Sequence, residues 1–284
     1  MHRTTLISVE ELAHGLRQCV VVDCRHDLGD PRAGRLAWQS SHIPGAHFLH
    51  MDEDLSGPRQ PGSGRHPLPE PGRLRATLGA LGIGADTQLV AYDAAGGACA
   101  ARLWWLARWL GHERAAVLDG GWPAWLAAGH AVDSEVPVAP GGPALPHRPP
   151  RVAAVDADTL LRGLPARHHL IVDARGRERY LGLAEPLDPV AGHIPGSVNR
   201  PFQANLAPDG RFKPPALLRE EWLARLAGQP LERVVHSCGS GVSACHNLLA
   251  MEAAGLGGTC LYPGSWSEWC ADRSRPVATG DEPR

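Results

Sequence analysis

The sequence predicts an α/β protein of two domains, each with a mainly parallel sheet flanked by helices. Three observations predict this class: the length, an internal repeat, and the order of strand and helix patterns within each half. A chain of 284 residues exceeds the usual size of a single hydrophobic core. Short β-branched runs alternate with longer helical stretches, an order typical of parallel sheets covered by helices.

The internal repeat consists of landmarks that occur in the same order in both halves. The matched segments are 21–25 with 171–175, 41–46 with 192–197, 89–93 with 234–238, and 119–125 with 262–269. Segments 100–110 and 244–254 are the helices predicted to follow the third landmark. Matched landmarks in a constant order indicate a duplicated domain.

A segment rich in proline and glycine, 136–150, separates the two halves and is typical of an extended linker. We therefore expect a first domain at 1–135 and a second at 151–284. Ligands of open α/β sheets gather at the carboxyl ends of strands, so the candidate sites lie after the predicted strands.

One cysteine stands at such a strand end. Val234 and Val235 indicate a buried strand, Ala244 begins a helical pattern, and Cys238 opens the loop between them. Gly239 and Gly241 allow the backbone to fold tightly, with several N–H groups pointing inward as an anion-binding nest. These amides and the helix N-terminus favour a negatively charged sulfur, so we predict that Cys238 is a catalytic thiolate.

The repeat supplies an internal comparison, because Asp93 occupies the cysteine position of the first half. A carboxylate is no sulfur nucleophile, so the first domain is predicted to be catalytically inactive. His42 and His193 each precede an Ile-Pro-Gly turn, which favours a structural role over metal ligation. The Asp-x-Arg pairs that begin at Asp23 and Asp173 are predicted to form local ion pairs.

Composition excludes several classes of function. The formal charge of −2 provides no basic field for nucleic acid. No apolar run is long enough to span a membrane, and the first residues lack a signal core, so we expect a cytoplasmic protein. The seven cysteines are odd in number and lack framework or zinc spacing, which predicts reduced thiols and no metal.

With both His-Ile-Pro-Gly turns, the motif at 262–269 and the loop at 238–244, the chain resembles the tandem-domain rhodaneses, or sulfurtransferases. The loop Cys-Gly-Ser-Gly-Val-Ser-Ala is similar to that of the mercaptopyruvate enzymes, which carry threonine where Ser243 stands. Thiosulfate enzymes place basic residues after the cysteine, where this chain has Gly239 and Ser240. The resemblance implies two rhodanese-like domains and 3-mercaptopyruvate as the sulfur donor.

The resemblance also implies further site residues. Ser240 matches a loop serine that the family links to a histidine and an aspartate, and His66 and Asp52 match those two positions. Asp52 would orient His66, and His66 would polarise Ser240, by the logic of a serine triad. These three residues, with Cys238, form the predicted catalytic set.

Substrate binding is assigned by the same resemblance. Arg179 matches the first of two arginines that grip the substrate carboxylate, and a guanidinium can do so bidentately. The second position falls near Leu187 and Asp188, where no arginine stands. Arg177 is considered as its replacement. The loop residues Gly239, Gly241, Val242 and Ser243 are predicted to surround the transferred sulfur.

The implied activity is transfer of a sulfane sulfur from a small-molecule donor, through a Cys238 persulfide, to cyanide, a thiol or a thioredoxin-like protein. It requires no cofactor. Two alternatives are thiosulfate sulfurtransferase activity through the same cysteine and a noncatalytic sulfur carrier. A phosphatase is disfavoured, because Ala244 stands where such an enzyme needs an arginine to bind phosphoryl oxygens.

Overall fold

The computed structural model describes residues 2–281, which form two compact units. The first unit comprises the described residues up to Gly57, Leu68–Arg151 and Pro208–Phe212. The second comprises Pro58–Pro67, Val152–Ala207 and the described residues from Lys213 onward. Each unit holds one five-stranded sheet in which every strand pair is parallel. The predicted α/β class with parallel sheets is confirmed.

The sheet of the first unit has the strand order β1-β5-β4-β2-β3. Its strands are Leu6–Ile7 (β1), Cys19–Asp23 (β2), His47–Phe48 (β3), Gln88–Tyr92 (β4) and Ala115–Leu118 (β5). Its helices are Val9–Gly15 (α1), Ala33–Ser40 (α2), Pro71–Ala80 (α3), Ala100–Trp109 (α4) and Gly121–Ala127 (α5), with a 3₁₀ turn at Leu16–Gln18.

The second unit repeats this order as β6-β10-β9-β7-β8. Its strands are Ala153–Ala154 (β6), Leu170–Asp173 (β7), Val198–Asn199 (β8), Val234–Ser237 (β9) and Cys260–Leu261 (β10). Its helices are Ala157–Gly163 (α6), Arg177–Leu181 (α7), Pro215–Leu226 (α8), Ala244–Ala253 (α9) and Ser265–Trp269 (α10), with 3₁₀ turns at Phe202–Asn205 and Leu231–Arg233.

The central strand of each sheet is buried along its whole length, in β4 and in β9. Strands of a parallel sheet covered on both faces read as continuous apolar runs, which explains the Val-rich patterns in the sequence. Helices α4 and α9 follow these strands and are almost entirely buried. This strand, loop and helix arrangement fixes the position of the candidate site in the second unit.

The two Ile-Pro-Gly turns have the geometry that the sequence predicts. Gly45 and Gly196 adopt positive φ values of 74° and 75°. His42 and His193 are fully buried, and each Nδ1 lies 2.7 Å from a backbone carbonyl. Both histidines therefore act in the fold, as expected.

The unit boundaries differ from the predicted domain limits in three places, of which one is Pro208–Phe212, a short segment of the first unit. Segment 136–150 contains no helix or strand, but Leu145 is buried and donates its N–H to the carbonyl of Arg75 at 3.0 Å, so the segment lies along the first unit. Pro58–Pro67 belongs to the second unit, where the N–H of Arg65 donates to Ser267 Oγ at 3.0 Å. A sequence pattern cannot reveal such a return of a loop, because no local signal encodes it.

Within residues 2–281 no disulfide forms among the seven cysteines. Burial raises the pKa of the Cys19, Cys24, Cys99, Cys260 and Cys270 thiols. No helix in the described part of the chain combines the length and the apolar character that a membrane crossing requires.

Candidate active site

Cys238 directly follows β9, at the carboxyl end of the central strand of the second sheet. Its side chain is 1% exposed, and its Sγ accepts the N–H of Gly241 at 3.1 Å. Helix α9 begins six residues later, at Ala244. The loop therefore wraps around the sulfur and presents at least one backbone amide to it, an arrangement that favours negative charge on the sulfur.

Gly241 is required by this geometry. Its φ is +77°, and a Cβ at this position would lie 2.2 Å from the carbonyl oxygen of Pro263. Any larger residue would both strain the backbone and clash with a neighbouring loop. The amide that faces the sulfur is thus held in place by a glycine.

Ser265 fixes the base of the loop. Its Oγ accepts the N–H of Cys238 at 3.0 Å and donates to the carbonyl of Tyr262 at 2.9 Å. Ser265 itself adopts a left-handed φ of +53°, which is unfavourable for a residue other than glycine. The matching residue of the first unit is Gly121, with a φ of +55°. A strained serine where the repeat has glycine indicates that the hydroxyl is needed.

Ser240 and His66 meet beside the cysteine, as the resemblance implies. Ser240 Oγ lies 2.7 Å from His66 Nδ1, and both side chains are buried. The two residues are 174 positions apart in the chain, and Pro58–Pro67 carries His66 into the second unit. A hydroxyl in contact with an imidazole can pass a proton to or from a reacting group.

Asp52 lies in the first unit, and its predicted role beside His66 stays a prediction. Its backbone N–H donates to Nδ1 of His50 at 3.1 Å. Ligand atoms of His26, His50 and Asp52 fall within 4.8 Å of one another. His50 Nε2, however, donates to the carbonyl of Pro31 at 2.8 Å, so neither ring nitrogen of His50 offers a lone pair to a cation.

Arg179, predicted to bind substrate, lies at the loop. Its Nη1 is 3.4 Å from the position that a Cβ on Gly239 would occupy. Glu185 holds the guanidinium through two contacts, of 2.7 and 3.2 Å. Arg177, considered as the second substrate cation, has a side chain that is 59% exposed and pairs with Asp281 at 2.6 Å, so its charge is directed towards that carboxylate.

Arg175 adds a buried charge close to the sulfur. Its guanidinium is 2% exposed, bonds Asp173 at 2.7 Å, and lies 4.9 Å from the centroid of the Trp266 ring. Burial acts to lower the pKa of Arg175, but Asp173, Glu185 and the sulfur of Cys238 outweigh it and raise that pKa. The equivalent pair Asp23 and Arg25 forms at 2.6 Å in the first unit, so the predicted ion pairs are present in both halves.

In the first unit, the loop equivalent to 238–244 folds around the side chain of Asp93. Asp93 follows β4 as Cys238 follows β9. Its carboxylate accepts four backbone N–H groups, at 2.7 to 2.9 Å, from Ala95, Gly97, Cys99 and Ala100. The loop is one residue longer than its counterpart, since α4 begins seven residues after Asp93. The nest geometry expected around sulfur is therefore realised here around a carboxylate.

A family comparison identifies both halves. The sequence model of the rhodanese-like domain family matches residues 8–128 and again residues 156–272. The chain belongs to the rhodanese family. The resemblance inferred from the turns and the cysteine loop is thereby confirmed, including its tandem organisation.

Individual relatives of this rhodanese cover nearly its whole length. A probable 3-mercaptopyruvate sulfurtransferase from Pseudomonas aeruginosa is 46% identical over 99% of this chain and 100% of its own. A putative thiosulfate sulfurtransferase, SseB, from Mycobacterium tuberculosis is 38% identical over 97% of each. Among solved structures, the 3-mercaptopyruvate sulfurtransferase from Leishmania major superposes with a TM-score of 0.83 at 30% identity, covering 94% of this chain and 74% of that one.

Sequence reasoning missed several residues that shape the site of this rhodanese. They are Arg65, Arg175, Glu185, Asp188 and Ser265. Ser265 had a readable signal, because the repeat aligns it with a glycine of the Gly-Gly-Trp landmark. For Arg175 the repeat predicted the ion pair with Asp173 but not the position near the sulfur. Arg65, Glu185 and Asp188 had no signal, since charged residues of a loop carry no periodicity that indicates which partner they will face.

His236 lies in β9, two residues before the cysteine, and is fully buried with its ring edge-on to Trp222. Neither ring nitrogen has a hydrogen-bond partner within residues 2–281. Burial, and then the charge of Arg200, lower the pKa of His236 from 6.5 to about 3. Below pH 6.5 the His236 imidazole is therefore protonated in the unfolded chain, whereas in the folded chain it stays neutral down to about pH 3. The free energy of unfolding is therefore unaffected by His236 above pH 6.5. It falls by about 1.4 kcal/mol per pH unit between pH 6.5 and about pH 3, because only the unfolded chain takes up the proton there.

We therefore expect His236→Phe to make the free energy of unfolding less dependent on pH below 6.5, with a slope smaller by about one bound proton. The substitution keeps a planar aromatic ring and removes the titrating group. Urea unfolding at several pH values between 6.5 and 4.5 measures the slope, with His168→Phe as a control at an exposed histidine. An unchanged slope in His236→Phe would show that this histidine does not contribute to acid sensitivity.

Proposed function

We propose that this chain is a sulfurtransferase that moves a sulfane sulfur from 3-mercaptopyruvate to cyanide or a thiol acceptor through a persulfide on Cys238. The observation that supports it most is the environment of Cys238 Sγ: a buried sulfur facing the Gly241 amide, in a loop that also bears Ser240 and faces Arg179. The names of the relatives agree with this activity. Family membership alone would not determine which molecule donates the sulfur.

In the first step, the Cys238 thiolate attacks the sulfur of the donor. An S–S bond forms, the C–S bond of mercaptopyruvate breaks, and its electron pair remains on carbon as the enolate of pyruvate. The proton of the donor thiol ends on that carbon. The Ser240 hydroxyl, 2.7 Å from His66 Nδ1, is suited to relay it. No external oxidant or reductant is consumed.

In the second step, an acceptor attacks the outer sulfur of the persulfide and Cys238 leaves as a thiolate. Cyanide becomes thiocyanate, and a thiol becomes a persulfide. The amide of Gly241 stabilises negative charge on the Cys238 sulfur before and after each transfer. A small thiol or a thioredoxin-like protein is proposed as the natural acceptor, and the cytoplasm as its compartment.

Donor binding is assigned to Arg179 and to the loop. The guanidinium of Arg179 can donate hydrogen bonds to the carboxylate of mercaptopyruvate, with Nη1 nearest to the loop. Gly239, next to the sulfur, leaves room for the donor, because a Cβ there would approach within 3.4 Å of Arg179. Val242 and Ser243, both half-buried, complete the rim of the loop.

Intact mass after exposure to 3-mercaptopyruvate tests the proposal. We expect one added sulfur per chain, located on Cys238, which disappears with multiple turnover when cyanide is supplied. Turnover with an unmodified Cys238 would rule out the persulfide route. A persulfide that forms without repeated turnover would instead identify a sulfur carrier.

Thiosulfate remains the competing donor, because several relatives are named thiosulfate sulfurtransferases and cations flank the loop. The ratio of kcat/KM for the two donors measures the discrimination directly. We expect mercaptopyruvate to exceed thiosulfate by about tenfold or more, since Gly239 and Ser240 place no charge next to the cysteine. The reverse order would make thiosulfate the donor of the same chemistry.

A further inference from the structure

Two guanidinium groups, not one, face the loop that carries Cys238. A Cβ on Gly239 would lie 2.8 Å from Nη2 of Arg65 and 3.4 Å from Nη1 of Arg179. Arg65 comes from Pro58–Pro67 and Arg179 from α7, so the two cations reach the loop from distant parts of the sequence. About a fifth of each side chain is exposed, at 19% and 22%, so both are accessible to a small solute.

Asp188 connects the two guanidinium groups. Its Oδ1 pairs with Nη1 of Arg65, and its Oδ2 lies 3.3 Å from Nη2 of Arg179. The Asp188 side chain is only 4% exposed. One buried carboxylate thus holds two like charges side by side, an arrangement that would otherwise be opposed by their repulsion.

The backbone of Arg65 is held as firmly as its side chain. Its N–H donates to Ser267 Oγ at 3.0 Å, and a Cβ on the preceding Gly64 would lie 2.6 Å from the carbonyl oxygen of Gly264. The buried Nε of Arg65 has no partner within residues 2–281. Arg65 therefore keeps hydrogen-bonding capacity in a fixed position beside the reactive loop.

We propose that Arg65 is the second cation that binds the carboxylate of the sulfur donor, and that Asp188 is the residue that positions it. This inference rests on the proposed function and deepens it. The sequence position at which the second substrate arginine was sought holds Asp188 itself, an anion. The cation is supplied by Arg65 from another segment, and Asp188 anchors it and Arg179 on either side of one substrate carboxylate.

The first experiment measures KM and kcat for 3-mercaptopyruvate in Arg65→Ala and Arg65→Lys. We expect KM to rise about 10- to 100-fold in Arg65→Ala, as for loss of a charged hydrogen bond, with a smaller fall in kcat. Arg65→Lys is expected to recover part of the loss, because it restores the charge but not the planar fork. Arg59→Ala removes an exposed arginine from the same segment and serves as the matched control, with KM unchanged.

A second variant separates binding from a merely structural role. In Asp188→Asn, Arg65 keeps its charge but loses its charged anchor, and we expect KM to rise. Because Asp188 acts through Arg65, we expect Arg65→Ala and Asp188→Asn together to raise KM by less than the product of the two single effects. Effects that simply multiply in a folded double variant would overturn the assignment of Asp188 as the residue that positions Arg65.

Binding of pyruvate, the carboxylate product, is measured by calorimetry in the Cys238→Ala background, where no sulfur is transferred. Weaker pyruvate binding in Arg65→Ala than in Arg59→Ala supports the cation site, even if mercaptopyruvate turns out not to be a donor. Pyruvate binding and KM that both stay within twofold of the parent would overturn the role of Arg65, even if persulfide transfer is observed. The two proposals therefore fail by different results.

Discussion

A Cys238→Ser variant is expected to fold normally and to lose sulfur transfer by about 10⁴-fold or more. The hydroxyl can accept the Gly241 N–H as the sulfur does, so the loop keeps its hydrogen bond. It cannot form a persulfide, and covalent catalysis through this position is therefore removed rather than weakened. Steady-state formation of thiocyanate from mercaptopyruvate and cyanide measures the loss, and intact mass measures the missing sulfur adduct.

Cys260→Ser is the matched control for this experiment. Cys260 lies in the neighbouring strand β10 and is half-buried, and burial raises the pKa of its thiol, which keeps it protonated. We expect wild-type rates from Cys260→Ser. Transfer by Cys238→Ser within tenfold of wild type would mean that another group carries the sulfur.

An Asp93→Asn variant is expected to lower the free energy of unfolding by about 3 kcal/mol or more. The carboxylate accepts four N–H groups, two on each oxygen. In asparagine an NH₂ group replaces one of those oxygens, so two backbone N–H groups face another hydrogen-bond donor instead of an acceptor. Hydrogen bonds to a charged group also contribute more stability than neutral ones, so their loss costs more. Asp93 is 1% exposed, so water cannot replace the missing acceptor.

Urea unfolding followed by tryptophan fluorescence measures this change. Asp86→Asn is the control, because Asp86 is an aspartate of the same unit whose side chain is 78% exposed. We expect its midpoint to stay within the error of wild type. Equal midpoints for Asp93→Asn and Asp86→Asn would contradict the view that the carboxylate holds the loop together.

The repeat and the strand patterns made the fold predictable. The buried central strands carry the apolar runs 89–91 and 234–235, and the positive φ of Gly45 and Gly196 favours glycine, so both features leave a trace in the sequence. The same holds for Cys238, since a cysteine between a strand, two glycines and a helix is a local pattern. A single sequence therefore predicts best those local structures that only one or a few residue types can adopt.

The contacts made by distant segments could not be predicted in this way. The backbone N–H of Arg65 and its partner Ser267 are 202 residues apart, and Arg65 and Asp188 are 123 apart. A surface arginine and an arginine that returns to a reactive loop look alike in the sequence, because a single charge carries no periodicity. The proximity of Ser240 and His66 was anticipated only through the family resemblance, for the same reason.

The carboxylate of Asp93 shows that this loop position can hold an anion other than a thiolate. A loop with inward-pointing amides needs some anion to satisfy them, whether sulfur or oxygen. Asp93 provides that anion permanently, so the first unit keeps a closed loop with a carboxylate where the second unit has a thiol. The loop after the central strand therefore binds negative charge in both units, and the residue at its first position decides whether that charge sits on a nucleophilic sulfur.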